Sequence, residues 1–228
     1  MAKKTKSTDS IETGFQTLEQ SISKTEQFIE KHQKKITIVA IAILVVVALV
    51  FAYKKFYLEP QIKEAQEQIF VAQQYFERDS MELCLNGDGE NPGMLQIIED
   101  YGSTPVANLA EYYAGVAYYK LGKYEDAVEH LSDFSTGNEL LESVTNACIG
   151  DSYVELKKFD KAAGYYEDAA ETGVNDVFTP TFLMKLGLVY EELGKKDKAL
   201  KVYKKIKQEY KNSQEGRSID KYIARLEM

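Results

Sequence analysis

The apolar residues of this chain follow two different patterns. From Ile36 to Tyr53 they are continuous: ITIVAIAILVVVALVFAY runs for eighteen residues without a charge, with Lys34 and Lys35 before it and Lys54 and Lys55 after it. At helical rise this is roughly 27 Å, close to the hydrocarbon core of a bilayer. A helix that is apolar all round suits lipid. The 35 residues ahead of it are too many for the n-region of a cleaved signal, and no small-x-small site follows. The run is expected to be a retained transmembrane helix over 36–53.

Elsewhere the apolar positions recur at helical spacing, and from residue 108 they do so in a repeated phrase. It reads Gly115, Tyr118, Leu121, Ala127, Leu131, then Gly150, Tyr153, Leu156, Ala162, Tyr166, then Gly187, Tyr190, Leu193, Ala199, Tyr203. Glycine inside a helix costs about 1 kcal/mol against alanine, a cost tolerated where two backbones must approach closely. The glycines are therefore expected where helix A of each hairpin meets helix B, with the tyrosines wedged between neighbours. The alanines open helix B where nothing larger fits. Leu-Gly-Lys at 121–123 and 193–195 reads as a helix C-cap and turn, and Leu-Lys-Lys at 156–158 fills that slot in the middle copy. Copies in register at offsets of 35 and then 37 residues mean stacked helical hairpins. The phrase resembles the tetratricopeptide repeat over residues 108–209, although the family's Trp and its repeat-end Pro are missing.

The remaining segments divide the chain further. Residues 1–35 carry Ile11, Phe15, Leu18, Ile22, Thr25 and Ile29 at alternating steps of four and three, the pattern of a short amphipathic helix. It could pair with itself, lie on a membrane leaflet or dock on a membrane partner; its near-balanced charge disfavours strong attraction to anionic lipid. Residues 54–103 are expected to be connecting helices and a degenerate hairpin, with an apolar stripe of Ile62, Ala65, Ile69, Ala72, Tyr75 and Phe76. Asn86, Asp88 and Glu90 alternate in the loop at 85–94, but the spacing of a calcium loop is not met, so a turn is expected. Residues 213–228 present Ile219, Tyr222, Ile223 and Leu226 as a capping helix, which a solenoid needs to shield its terminal core. The fold class is all-α: a single N-terminal transmembrane helix followed by a tetratricopeptide-repeat helical solenoid.

Charge and chemistry narrow the function. A net charge of −8 argues against nucleic acid. Cys84 and Cys148 lack metal-site spacing and are expected as buried free thiols, and His32 and His130 lie far apart. No catalytic constellation, metal site or cofactor loop emerges, so no enzyme is expected. Residues 1–35 hold seven lysines against five acids, three of them at the membrane edge. With large domains translocating regardless of charge, this places the N-terminus in the cytoplasm and the repeats outside, which in a bacterium is the periplasm, with the chain in the inner membrane.

In stacks of this kind the A helices line the concave face. The resemblance therefore implies a candidate peptide groove of Tyr112, Val116, Tyr119 and Lys120, then Ala147, Asp151, Val154 and Glu155, then Met184, Leu188, Glu191 and Glu192. Its aromatic, Met and acidic character suits apolar, basic or unfolded segments. Taken whole, the order of a short helix ending in Phe-Ile-Glu-Lys-His-x-Lys at 28–34, one span and a repeat stack resembles the YfgM-like ancillary subunits of the Sec translocon. That resemblance implies protein partners: translocon subunits, a periplasmic chaperone and unfolded secreted polypeptides. The alternative is a structural scaffold for envelope or outer-membrane protein assembly, but neither cysteine is placed as a lipobox.

Overall fold

A computed structural model describes residues 31–228. The chain divides into two compact units, Met1–Tyr57 and Leu58–Met228. In the first, helix α1 covers the described residues 31–53 and carries the uncharged run. The helical segment Lys31–Glu77 that contains this run is long and apolar enough to cross a membrane, with a mean hydropathy of 3.0 in its most apolar window and none of that window buried. A π-helical turn, Lys54–Leu58, follows α1. Tyr53 and Tyr57 stack across the start of that turn at 5.2 Å.

The second unit begins with α2 (Glu59–Glu77), α3 (Met81–Asn86) and α4 (Met94–Tyr101). Three antiparallel hairpins follow: α5 (Pro105–Lys120) with α6 (Tyr124–Asp133), α7 (Glu139–Glu155) with α8 (Phe159–Glu171), and α9 (Thr179–Glu192) with α10 (Lys196–Glu209). The chain ends in α11 (Gln214–Ser218) and α12 (Asp220–Glu227). Among the described residues there is no strand, only an isolated bridge between Gly87 and Pro92.

Each position in the repeated phrase has a visible cause. A methyl group built on Gly115 would lie 2.5 Å from Leu131 Cγ, and one on Gly150 would lie 2.8 Å from the ring of Tyr166. Gly187 is pressed in the same way by the ring of Tyr203. In every hairpin the A-helix glycine thus accepts the large residue sixteen positions later on helix B. Ala127, Ala162 and Ala199 are wholly buried.

The turns also repeat. Leu121, Leu156 and Leu193 cap the A helices. The amides of Lys123, Lys158 and Lys195 then return to the carbonyls of Tyr118, Tyr153 and Tyr190 at 3.0, 2.8 and 2.8 Å. These are Schellman turns, which need a left-handed residue after the cap. Gly122 and Gly194 supply it at φ 74° and 68°, but the middle copy places Lys157 there at φ 56°. A side chain in that region costs about 1 kcal/mol or more. Lys157→Gly is therefore expected to stabilise the fold by roughly 0.5–1 kcal/mol, the gain being trimmed by glycine's greater freedom when unfolded. Urea titration of the two forms measures it, and a loss of stability would refute the strain.

Two apolar clusters share α5 as a wall. Ala107, Ala110, Ala114 and Ala117 face the cluster formed with α2, α3 and α4, while Tyr112 and Val116 pack on the main cluster of the later repeats. Cys84 belongs to the first cluster and Cys148 packs on the second; both are free thiols. Burial pushes them up to about 11 and about 12, so both stay protonated at neutral pH.

Three local details differ from the sequence expectation. The helix that the sequence suggests over Glu59–Asp79 stops at Glu77, because Asp79 takes a left-handed φ of 59°. Helix α3 extends two residues into the Gly/Asn-rich segment, and the loop beyond it is closed by Asp88, whose carboxylate accepts from the amides of Asn91 at 2.7 Å and Glu90 at 2.9 Å and from the Tyr75 hydroxyl at 2.7 Å. The expected single capping helix is two, because the chain steps inward at Ile219, which is fully buried.

Candidate functional site

The A-helix faces of α5, α7 and α9 carry the residues singled out in the sequence, and hydrogen bonding sorts them into two kinds. The first kind is tied. Asp151 accepts from Lys185 Nζ at 2.6 and 2.7 Å and from the Tyr166 hydroxyl. Glu191 accepts from the Tyr203 hydroxyl at 2.6 Å and from Arg225 Nη2 at 2.6 and 2.7 Å. In each trio helix A supplies the acid, helix B of the same hairpin supplies the tyrosine, and a later helix supplies the cation, α9 for Asp151 and α12 for Glu191. The tyrosine lies across the repeat glycine and ends on the acid. Copy one has Leu131 where the others have tyrosine, and Val116 stands where copy two has Asp151.

Lys120 is also held: its ammonium meets Asp79 at 2.6 Å and sits 5.5 Å from the centre of the Phe76 ring, on the α2 side. Three of the expected groove charges are therefore engaged in holding helices together.

The second kind is available. Tyr119 is half-buried, edge-to-face with Tyr124 at 5.7 Å, and faces Asp151, Cys148 and Glu155. Burial first, and the carboxylates of Asp151 and Glu155 among its neighbours, push its hydroxyl up to about 12. Tyr112 makes tilted and edge contacts with Phe134 at 5.3 Å and Tyr113 at 5.9 Å. Val116 and Met184 are partly buried against the main cluster, Glu155 is exposed, and Leu188 is 41% exposed. The structure thus brings Tyr119, Asp151 and Glu155 together at the joint between α5 and α7. The helix expected for Ile11, Phe15, Leu18 and Ile22 falls outside the described residues.

Sequence reasoning missed the partners Lys185 and Arg225, and Tyr166 and Tyr203 as donors to the acids. A signal was present: Asp151–Lys185, Thr181–Glu215 and Glu191–Arg225 all lie 34 residues apart, and Asp160–Lys195 lies 35 apart. Polar pairs spaced by one repeat period are the cross-ties of a solenoid, because each unit touches mainly its neighbour. Among the described residues no cluster of metal-ligating side chains forms.

Comparisons with known proteins agree with this architecture. Tetratricopeptide-repeat family models match residues 149–213 and 109–135. A crystal structure of the nearly identical TPR-like repeats of a Podosopora anserina chain described as a kinesin light chain is similar, with 13% identity and a TM-score of 0.50. The likeness covers 72% of this chain and 84% of that one, and at such identity it speaks to the fold alone. No curated protein matches the chain. Residues 109–135 and 149–213 thus carry tetratricopeptide repeats, within a solenoid that is helical among the described residues, and such repeats imply a protein–protein interaction module.

Proposed function

We propose that this chain is a membrane-anchored interaction module whose repeats stand in the periplasm, attached to the bacterial inner membrane by α1, and that it meets secreted polypeptides beside the translocon and a periplasmic chaperone. The observation that carries the reading is the adjacency, in one chain, of an uncharged run long enough to span a bilayer and a repeat stack. The excess of lysines on the short N-terminal side supports the orientation. In this reading the α5–α7–α9 face takes apolar or unfolded segments: Tyr112, Tyr119, Met184 and Leu188 supply apolar contact, and Glu155 gives an acidic rim. A scaffold for envelope assembly is the rival reading.

Photocrosslinkers placed at Leu188 and Glu155 in intact membranes test it. The expected products are nascent secreted chains and translocon subunits. Changing Tyr112, Tyr119 and Met184 together to alanine should abolish the nascent-chain products, since aromatic anchors carry a disproportionate share of binding energy. Translocon products should persist if attachment is made by α1 and the helix before it. Crosslinks to outer-membrane assembly factors alone would transfer the role to a scaffold.

A further inference from the structure

Helix α10 stands apart electrostatically. It carries six lysines against two acids in a chain whose net charge is −8. Some of these lysines are used internally: Lys204 meets Glu227 at 2.9 Å and Lys207 meets Asp220 at 2.7 Å, which fixes the terminal helix. Lys201 and Lys205 have no carboxylate partner among the described residues, and Lys198 lies 5.1 Å from the centre of the Tyr190 ring. The spacing of 198, 201 and 205 puts all three on one stripe of the helix.

That stripe forms one wall of a cleft of about 330 Å³ between α8 and α10. Its floor is apolar, made by Leu183, Leu186 and Tyr190 of α9 with Val202 of α10. These α9 residues belong to a different face of the helix from Met184, Leu188 and Glu191. The far wall is acidic, with Glu167, which accepts from the Tyr190 hydroxyl, and Glu171.

We propose that this α8–α10 cleft is a second docking site, and that its occupant is an amphipathic protein helix whose apolar edge enters the cleft and whose acidic flank faces Lys198, Lys201 and Lys205. Charge complementarity makes the choice. The lysine stripe attracts carboxylates at helical spacing, while the apolar floor takes one or two side chains from between them. An anionic bilayer is a poorer fit, because a flat surface laid on the stripe would also be pressed against the exposed Glu167 and Glu171. A polyanionic backbone meets the same repulsion and leaves the floor unused. The site shares no residue with the α5–α7–α9 face and stands or falls separately from the reading given to that face.

The test uses the full chain in nanodiscs of neutral lipid and fluorescence anisotropy of a labelled amphipathic peptide with leucines on one edge and glutamates on the flank. Binding should be measurable at low salt and should weaken as salt screens the exposed charges. Lys201→Glu with Lys205→Glu should weaken it by about tenfold or more, since reversal places like charges across the interface. The matched pair Lys63→Glu with Lys158→Glu, on exposed positions elsewhere, should leave it within about twofold, because distant exposed charges are screened. Exchanging the peptide's leucines for serine should abolish binding. The proposal fails if the two double variants bind alike, if the serine peptide binds as well as the leucine peptide, or if phosphatidylglycerol vesicles bind through Lys201 and Lys205 while the peptide does not.

Discussion

Replacing Gly187 by alanine is expected to lower the melting temperature of the chain by roughly 5–10 °C, a loss of about 2–3 kcal/mol in a unit of this size. The sign is what makes this informative. In an ordinary helix interior the same change stabilises by about 1 kcal/mol, because alanine is the better helix former. At Gly187 the added methyl would overlap the Tyr203 ring, whose Cζ would be 2.7 Å away. That ring is fully buried, and its hydroxyl donates to Glu191 at 2.6 Å, so it cannot swing aside without losing that hydrogen bond. Gly164 supplies the contrast: it lies inside α8 with no atom within 4 Å of a built methyl. Gly164→Ala should therefore raise stability by about 1 kcal/mol. Circular-dichroism melts of the detergent-solubilised chain measure both, and a Gly187→Ala protein that melts at or above the parent temperature would show that the hairpin contact is misassigned.

How much of this was legible in the residues follows from the range over which each force acts. Gly115, Gly150 and Gly187 predicted their own contacts, because a helix-breaking residue kept at one register three times needs a steric reason, and Leu131, Tyr166 and Tyr203 provide it. The left-handed turn residues were legible where they are glycine and obscured at Lys157, where the backbone takes the same shape without the signal. The electrostatics of the A-helix face were read only in part. Counting one lysine against four acids treats the side chains as if they all met solvent, whereas Asp151 and Glu191 are spent on Lys185 and Arg225, one repeat away. Net charge hid the lysine stripe as well, because a chain-wide excess of acid says nothing about how charge is divided among helices. The break at Ile219 had no local cue: its cause is a buried seat offered by the preceding hairpin, a tertiary effect that periodicity does not carry.

The stability of the solenoid is expected to collapse on the alkaline side, beginning near pH 9 and steepening above pH 10. Burial raises the hydroxyls of Tyr166, Tyr190 and Tyr203, and each is raised further by the carboxylate it donates to: Asp151, Glu167 and Glu191. The thiols of Cys84 and Cys148, raised to about 11 and about 12, and the Tyr119 hydroxyl, raised to about 12, move in the same direction. All of these are acids whose neutral form is favoured in the folded state. Below pH about 8 folded and unfolded chains both hold the protons, and the contribution is intact. As pH rises through the ordinary thiol and phenol values, the unfolded chain releases protons that the folded chain keeps. The unfolding free energy then falls by about 1.4 kcal/mol per pH unit for each proton so retained. Urea titrations between pH 8 and 11 give the slope directly. Tyr166→Phe with Tyr203→Phe should be less stable than the parent at pH 8, because two charge-assisted hydrogen bonds are lost, yet its stability should fall less steeply above pH 10. Asp151 and Glu191 remain paired in that variant, with Lys185 and Arg225, so the change in slope reports the phenols rather than a general loosening. If parent and variant lose stability with the same slope, the two tyrosines are not holding their protons against the acids they touch, and the tyrosine–carboxylate ties do not form.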